Sequence, residues 1–478
     1  TNKDYFENKF KKYKHQELID MKIKEKNDLH LTINDYFNKY KKYKHEGNIK
    51  IKHDYLLMQK WTNIICTSQS GRNYSINIAI SEKIKDVSML GNVYFLSLGW
   101  SSKITDVSML GNVHTLDLRY CRKITDVSML GNVNTLYLSG CQNIKDVSML
   151  GNINTLNLSH CYNITDVSML GNVHDLNLSY CYNITDISML GNVHTLNLNK
   201  CKNIKNVSML GNVNSLNLSS TNIKDVSMLG NIHSLNLSYC ENIKNVSMLG
   251  NVNTLDLSHC HKITDVSMLG NVHTLDLLYC DNISDVSMLG NVNTLDLRYC
   301  KNITDVSMLK NINSLNLSST NIKVVSMLGN IHSLNLSWCQ NITDISMLGN
   351  IHSLNLSDTN IKDVSMLGNV HTLILSCCYK ITDISMLGNV YTLNLSCCHK
   401  ITDISMLKNV YTLNLSFCDS ITDVSMLGNV HTLILTNCEN ITDVSMLKNV
   451  HTLDLSNCEN IPKYQIVELE KTVKNLEY

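Results

Sequence analysis

The sequence predicts an α/β chain wound as a solenoid around a single parallel sheet, and three observations predict it. From Ile84 to Ile461 one phrase returns nineteen times, in steps of 20 residues with three steps of 19. Within each copy, positions 12 to 16 alternate strictly between apolar and polar residues, as a half-buried strand does. Only about 12 residues then remain to return the chain to the next strand, too few for a long helix and enough for turns or one turn of 3₁₀ helix.

A representative copy is ITDVSMLGNVHTLDLLYCDN, residues 263–282. Counted from its isoleucine as position 1, apolar residues hold positions 1, 4, 7, 10, 13 and 15. One copy has no partner for that apolar side. Stacked copies bury it as a continuous core and align their strands in parallel. Each inward side chain contributes roughly 1.5–3 kcal/mol of gross burial, most of which the entropy of ordering the chain offsets.

The strand phrase V-x-x-L-x-L-x-x-C-x-x-I-T-D resembles the leucine-rich-repeat family in its cysteine-containing form. The D-V-S-M-L that follows is similar to the short convex segment of internalin-like repeats. The resemblance covers residues 84–461. It implies a leucine-rich-repeat solenoid with the parallel sheet on a concave face and turns or short 3₁₀ helices on the convex face. It implies a binding scaffold and names no ligand. Position 6 departs from internalin-like repeats, which favour proline there; here it is methionine in every copy. That column is either an exposed convex ridge or flexible filler between turns.

The recurrent polar residues have structural readings. Position 18 is cysteine in fifteen copies, threonine at Thr221, Thr320 and Thr359, and serine at Ser101. Residues that exchange in this way share small size and a hydrogen-bonding group, so a buried packing role is expected and a disulfide framework is not. Cys377 and Cys397 stand outside that column, at position 17, and are the expected reactive pair. Asp at position 3, or Asn at Asn206 and Asn245, is suited to cap the short helix, whereas Val324 cannot. Position 8 is glycine except at Lys310, Lys408 and Lys448, so the left-handed turn residue is expected at the invariant asparagine of position 9.

Positions 12, 14 and 16 are expected on the concave face, reading Thr or Ser, Asn or Asp, and Ser. Position 17 varies most. Among its residues are Trp100, Tyr120, Tyr180, Tyr239, His259, Tyr279, Tyr299 and Trp338, large rings beside polar groups, which is the composition of binding hot spots. Asp256, Asp276 and Asp296 fall on three consecutive strands with Arg298 beside them. Stacked carboxylates repel, and a basic ligand relieves that repulsion. These twelve residues form the candidate binding site. Histidine recurs at position 11, as at His332, His352 and His371. Asparagine and tyrosine replace it freely in other copies, so no metal and no cofactor are expected. No Gly-rich phosphate loop, nucleophile–base arrangement or paired catalytic acids occur in the sequence, and no enzymatic activity is expected.

Both ends depart from the repeat. The chain carries 41 basic and 41 acidic residues, yet residues 1–83 hold 17 Lys and Arg against 10 Asp and Glu. Two copies of a basic phrase, at 4–15 and 35–45, suggest short helices, and segment 1–60 is expected to be helical and suited to nucleic acid or another acidic surface. Residues 61–83 read as a degenerate capping rung, with Ile76 and Ile78 at strand positions. Residues 462–478 read as an amphipathic capping helix, with Ile466, Leu469, Val473 and Leu476 at spacings of three and four.

No run of 18 apolar residues exists and the first residues lack the apolar core of a secretory signal. The expected place is the cytoplasm. The bias to Asn, Lys and Ile resembles proteins of amoebae or their large DNA viruses, which would make it a host cytoplasm. The expected function is a monomeric, non-enzymatic protein-binding scaffold using the concave face and the edge aromatics. Two alternatives are an adaptor, such as a ubiquitin-ligase substrate receptor docking through the basic N-terminal segment, and a self-associating structural array.

Overall fold

The computed structural model describes residues 18–20, 48–50, 75–77 and 85–478. The chain divides into two compact units, Thr1–Ile223 and Lys224–Tyr478. Each unit is built from the same rung, and the rungs are numbered 1 to 19 from Ile84.

A rung contains a three-residue strand at positions 12 to 14, such as Thr115–Asp117 or Thr274–Asp276, and a 3₁₀ helix at positions 5 to 7, such as Ser108–Leu110. Neighbouring strands pair in parallel and in register, as Leu255 with Leu275 and Leu275 with Leu295. The described rungs carry the 3₁₀ helix except rung 14, which has a turn there. The inward positions expected from the sequence are buried throughout, from Ile104 and Val107 to Val450 and Leu453.

The cysteine column is buried with them. Its thiols donate to the carbonyl of the position-15 leucine one rung earlier, as Cys141 Sγ to Leu118 O at 3.1 Å. In the 19-residue rungs the threonine hydroxyl donates to its own leucine instead, as Thr221 Oγ1 to Leu218 O at 2.6 Å. Loss of one residue removes the turn at positions 19 and 20 in these rungs, and a threonine answers within its own rung. Burial raises the ladder thiols, to about 11 at Cys121 and about 12 at Cys141.

The capping role of position 3 follows the sequence. Asp106 Oδ1 accepts the Ser108 N–H at 2.9 Å, and Asn206 accepts that of Ser208 at 3.0 Å. Val324 has no such oxygen and stands 68% exposed.

The left-handed residue is not at position 9. It is at position 17, where all nineteen residues have φ between 53° and 74°. The reason is the turn that leaves the strand. The position-18 N–H bonds back to the position-15 carbonyl, as Cys121 N to Leu118 O at 3.1 Å, which makes position 17 the third residue of a turn that requires positive φ. Position 8 is right-handed, with Lys310 at φ −63°, as its lysines imply. Its glycine serves close approach: a Cβ on Gly111 would lie against the Met129 carbonyl of the next rung.

One open alternative is decided and two further expectations are corrected. The methionines of position 6 are not filler: sixteen of them are 47–61% exposed on the 3₁₀ face, because Val or Ile at position 4 and Leu at position 7 already fill the space beneath. Position 16 is open only in part; Ser139, Ser159, Ser238 and Ser258 are buried, held by bonds such as Ser139 Oγ to Ser159 Oγ at 2.7 Å, whereas Arg119 is exposed and Leu278 and Arg298 are half-buried. The segment 462–478 is not one helix. Helix Lys463–Leu469 is followed by strand Asn475–Glu477, which pairs with Thr452–Asp454. Leu476 therefore continues the sheet as the partner of Leu453, and the tail is a last rung with an α-helix in the 3₁₀ place.

At the other end, Ser75–Asn77 pairs with Phe95–Ser97, with Ile76 opposite Leu96, as the degenerate rung implies. Strands Leu18–Asp20 and Asn48–Lys50 join the same sheet, so segment 1–60 contains sheet and is not uniformly helical. The basic phrases at 4–15 and 35–45 lie outside the described residues.

Candidate binding face

Two columns on the strand side converge in rungs 8 to 11 of the second unit. The first is Asp256, Asp276 and Asp296, which are direct register partners on three successive strands. Their Oδ1 atoms accept the backbone N–H two residues on, from Ser258 at 2.9 Å, Leu278 at 2.8 Å and Arg298 at 3.0 Å. Asparagine does the same at neighbouring rungs, as Asn236 for Ser238 at 2.9 Å. The carboxylates therefore share a turn-forming role with the amides they replace; what they add is charge.

That charge is unevenly matched. Asn236 Nδ2 donates to Asp256 at 2.9 Å, and Arg298 Nε holds Asp296 at 2.7 Å. Arg298 is thus engaged within its own rung. Asp276 lies between them and, among the described residues, forms no ion pair with Lys, Arg or His. Burial first, then the like charges of Asp296 and Asp256, push its carboxyl up to about 6. Asp117, in the first unit, is a contrast: it is 5% exposed, clamped by Arg119 and bonded to Ser97.

The second column is a ring stack at position 17. Tyr239 stacks on His259 at 4.1 Å between centroids, His259 meets Tyr279 at 4.7 Å with the rings tilted by 30°, and Tyr279 stacks on Tyr299 at 4.3 Å. Burial, followed by His261 nearby, lowers the His259 imidazole, and Asp256 opposes this. The left-handed backbone there suits glycine or asparagine and costs a bulky residue of order 1–3 kcal/mol. Stacking returns about 0.5–1.5 kcal/mol per pair. The rings are thus kept where the backbone does not favour them.

The remaining candidates are spread out. In the first unit Trp100 stacks on Tyr120 at 4.0 Å, and Tyr180 stacks on His160 at 4.1 Å and meets Lys200 Nζ at 3.1 Å through its hydroxyl. Trp338 has no ring partner among the described residues and is 57% exposed, between Ser319 and Asp358 in its column.

The sequence reading missed two ladders. At position 11 seven rings stack without a break: His332, His352, His371, Tyr391, Tyr411, His431 and His451, with centroids 4.4–4.8 Å apart. The exchange of His for Tyr, read as weakening a metal site, was the available signal, since either ring stacks. Face-to-face stacking occupies these rings with one another, and among the described residues no group of three His, Cys, Asp or Glu has metal-holding geometry. At position 20, asparagines bridge rungs, as Asn163 Nδ2 to Gln142 O at 2.8 Å.

Among the described residues no helix is long and apolar enough to cross a membrane. Residues 251–269 and 330–348 match the Leucine Rich repeat family model. No curated protein sequence matches the chain. Among solved structures, the functional domain of InlJ from Listeria monocytogenes, described as including a cysteine ladder, is 19% identical with a TM-score of 0.37, covering 72% of this chain and 73% of that one. The mouse RP105/MD-1 complex is 16% identical with a TM-score of 0.46, covering 85% and 90%. The Leptospira interrogans LRR protein LIC12759 is 15% identical with a TM-score of 0.33, covering 90% and 100%. The parallel in-register strands, the 3₁₀ return segments and the buried leucine positions make each described unit a leucine-rich-repeat solenoid.

Proposed function

We propose that this protein is a non-enzymatic scaffold whose strand face captures a basic, extended segment of a partner protein at rungs 8 to 11. The observation that carries this reading is the pairing of Asp256, Asp276 and Asp296 in register beside the Tyr239–His259–Tyr279–Tyr299 stack. Amides fill the same turn role at other rungs, and with Asp296 matched by Arg298 the unmatched charge of the column is that of Asp276. A lysine or arginine side chain would neutralise Asp276, and its methylenes would lie on the rings.

A cytoplasmic setting belongs to this reading. It is supported by the buried ladder thiols, which give their S–H to carbonyls in the manner of Cys141 to Leu118 O.

The test uses the full chain with fluorescent oligolysine and oligoglutamate peptides. Oligolysine binds, and the triple change Asp256→Asn, Asp276→Asn, Asp296→Asn weakens it about tenfold or more, equivalent to about 1.4 kcal/mol. The loss is largest at low salt, where charge attraction is least screened. Asp419→Asn with Glu439→Gln, two exposed loop carboxylates of rungs 17 and 18, serves as the control. Equal affinity of parent and triple variant across a salt series overturns the reading.

A further inference from the structure

The 17 described cysteines fall into two chemical groups. Fifteen lie in the buried position-18 ladder, where thiols give their S–H to leucine carbonyls in the manner of Cys398 to Leu375 O at 3.1 Å. Cys377 and Cys397 differ. Both are half-exposed and occupy position 17 of rungs 15 and 16, within the second unit. Their strands pair in register, Leu373 with Leu393, and the Cys377 N–H donates to Ser396 O at 2.8 Å. Both carry the same left-handed backbone, φ 57° and 60°. Identical backbone conformations on register-paired strands send the two side chains out in parallel, with Cα atoms one strand spacing apart, about 4.8 Å. A disulfide accepts Cα separations of about 4.4–6.8 Å. Burial first, then the neighbouring Cys377, push the Cys397 thiol up.

We propose that Cys377 and Cys397 are a surface dithiol that closes to a rung-bridging disulfide by exchange with a small disulfide such as oxidised glutathione. In the first step one thiol loses its proton and its thiolate attacks the glutathione disulfide. A mixed disulfide forms and one glutathione leaves as thiolate. In the second step the neighbouring cysteine, deprotonated in turn, attacks the protein sulfur of that mixed disulfide, and the second glutathione leaves. Two protein thiols are oxidised, one disulfide is reduced to two glutathiones, and the two protons go to the leaving thiolates. The ladder thiols do not compete, because they are buried and bonded to carbonyls. The reaction changes two side chains of the position-17 column and leaves the core ladder intact.

The test uses the full chain with Cys66→Ser, since Cys66 lies outside the described residues. Native protein is treated with oxidised glutathione at pH 8, alkylated, digested and mapped by mass. The expected result is loss of two thiols, a cross-linked peptide pair joining Cys377 to Cys397, and full return on addition of dithiothreitol. Cys397→Ser is expected to stop at a stable glutathione adduct on Cys377, which separates failure to react from failure to close. Glutathione adducts on both cysteines with no cross-link overturn the proposal, as do two unreacted thiols, or a cross-link that involves a ladder cysteine.

Discussion

Asp276 and Asp296 oppose each other across adjacent parallel strands, and Arg298 bonds to the second and not to the first. One carboxylate is thereby satisfied and the other is left charged, partly buried and beside two like charges. The site's electrostatic strain is concentrated on a single residue.

Asp276→Asn is therefore expected to stabilise the protein at neutral pH, by about 1–2 kcal/mol at this partly solvated position. The amide can keep the bond to Leu278 N–H. The folded carboxyl titrates near 6, above its ordinary value of 3.8, so the folded chain holds the proton more tightly than the unfolded one. The parent's penalty is full above about pH 6 and fades as pH falls toward 4. Urea midpoints of both proteins from pH 4 to 8 check this; a difference that does not change with pH counts against it. Oligolysine affinity is expected to fall over the same window, as Asp276 takes up its proton.

Val324→Asp is expected to restore a missing cap. In the rung before it, Asp305 holds Ser307 N–H at 2.9 Å, and in the rung after, Asp344 holds Ser346 at the same distance. A gain of about 0.5–2 kcal/mol is the usual worth of such a cap. Thermal midpoints of Val324→Asp and of Asp344→Ala should move in opposite directions; no movement in either removes the capping role.

How far the sequence carried depends on what each residue's reason was. Every inward position was legible, because a period-2 strand and a fixed repeat declare their buried side in the apolar pattern. The Asp caps and the Cys–Thr exchange were legible for the same kind of reason: chemically related residues recur at one place. The left-handed position was misread because glycine and asparagine are the usual markers, and here those residues stand at positions 8 and 9 for other purposes. Trp100, Tyr180 and Trp338 occupy the left-handed place instead. The exposure of the methionines was not decidable from composition, since Met suits both filler and surface. Arg298 was visible as a neighbour of the aspartates, but that it spends its guanidinium on Asp296 is a matter of side-chain geometry, which no spacing states.

Gly140 marks the place where a ring and a backbone compete. Its φ is 74°, and a Cβ there would lie 2.5 Å from the Tyr120 ring. Gly140→Ala is expected to destabilise by about 1–3 kcal/mol through the strained backbone and the displaced ring. Part of that loss should return in the Tyr120→Ala background, where only the backbone term remains. Additive effects in the double-mutant cycle would show that the ring does not press on this residue.

The methionine column predicts a separation of oxidation from unfolding. Its exposed thioethers lie outside the core, while the ladder thiols are buried with raised pKa. Mild peroxide should convert position-6 methionines to sulfoxides in many steps while far-UV circular dichroism and ladder thiols stay unchanged. Loss of the strand signal in step with the first few oxygen additions would mean that the column supports the fold.

The C-terminal rung closes the core through one buried amide. Gln465 Oε1 accepts the Val444 N–H at 2.7 Å, and Leu469 and Val473 are buried beneath the helix. Gln465→Ala leaves that N–H without its acceptor, at a cost of about 1–3 kcal/mol. In a solenoid each rung contacts only its neighbours, so the loss should stay local. Amide hydrogen exchange should accelerate across 441–478 and stay unchanged at rungs 8 to 11. Deleting 462–478 should go further and expose Leu453, Leu455 and Ile461, giving concentration-dependent association by light scattering. A truncated chain that remains monomeric, with unchanged exchange in rung 19, would show that the tail does not seal the core.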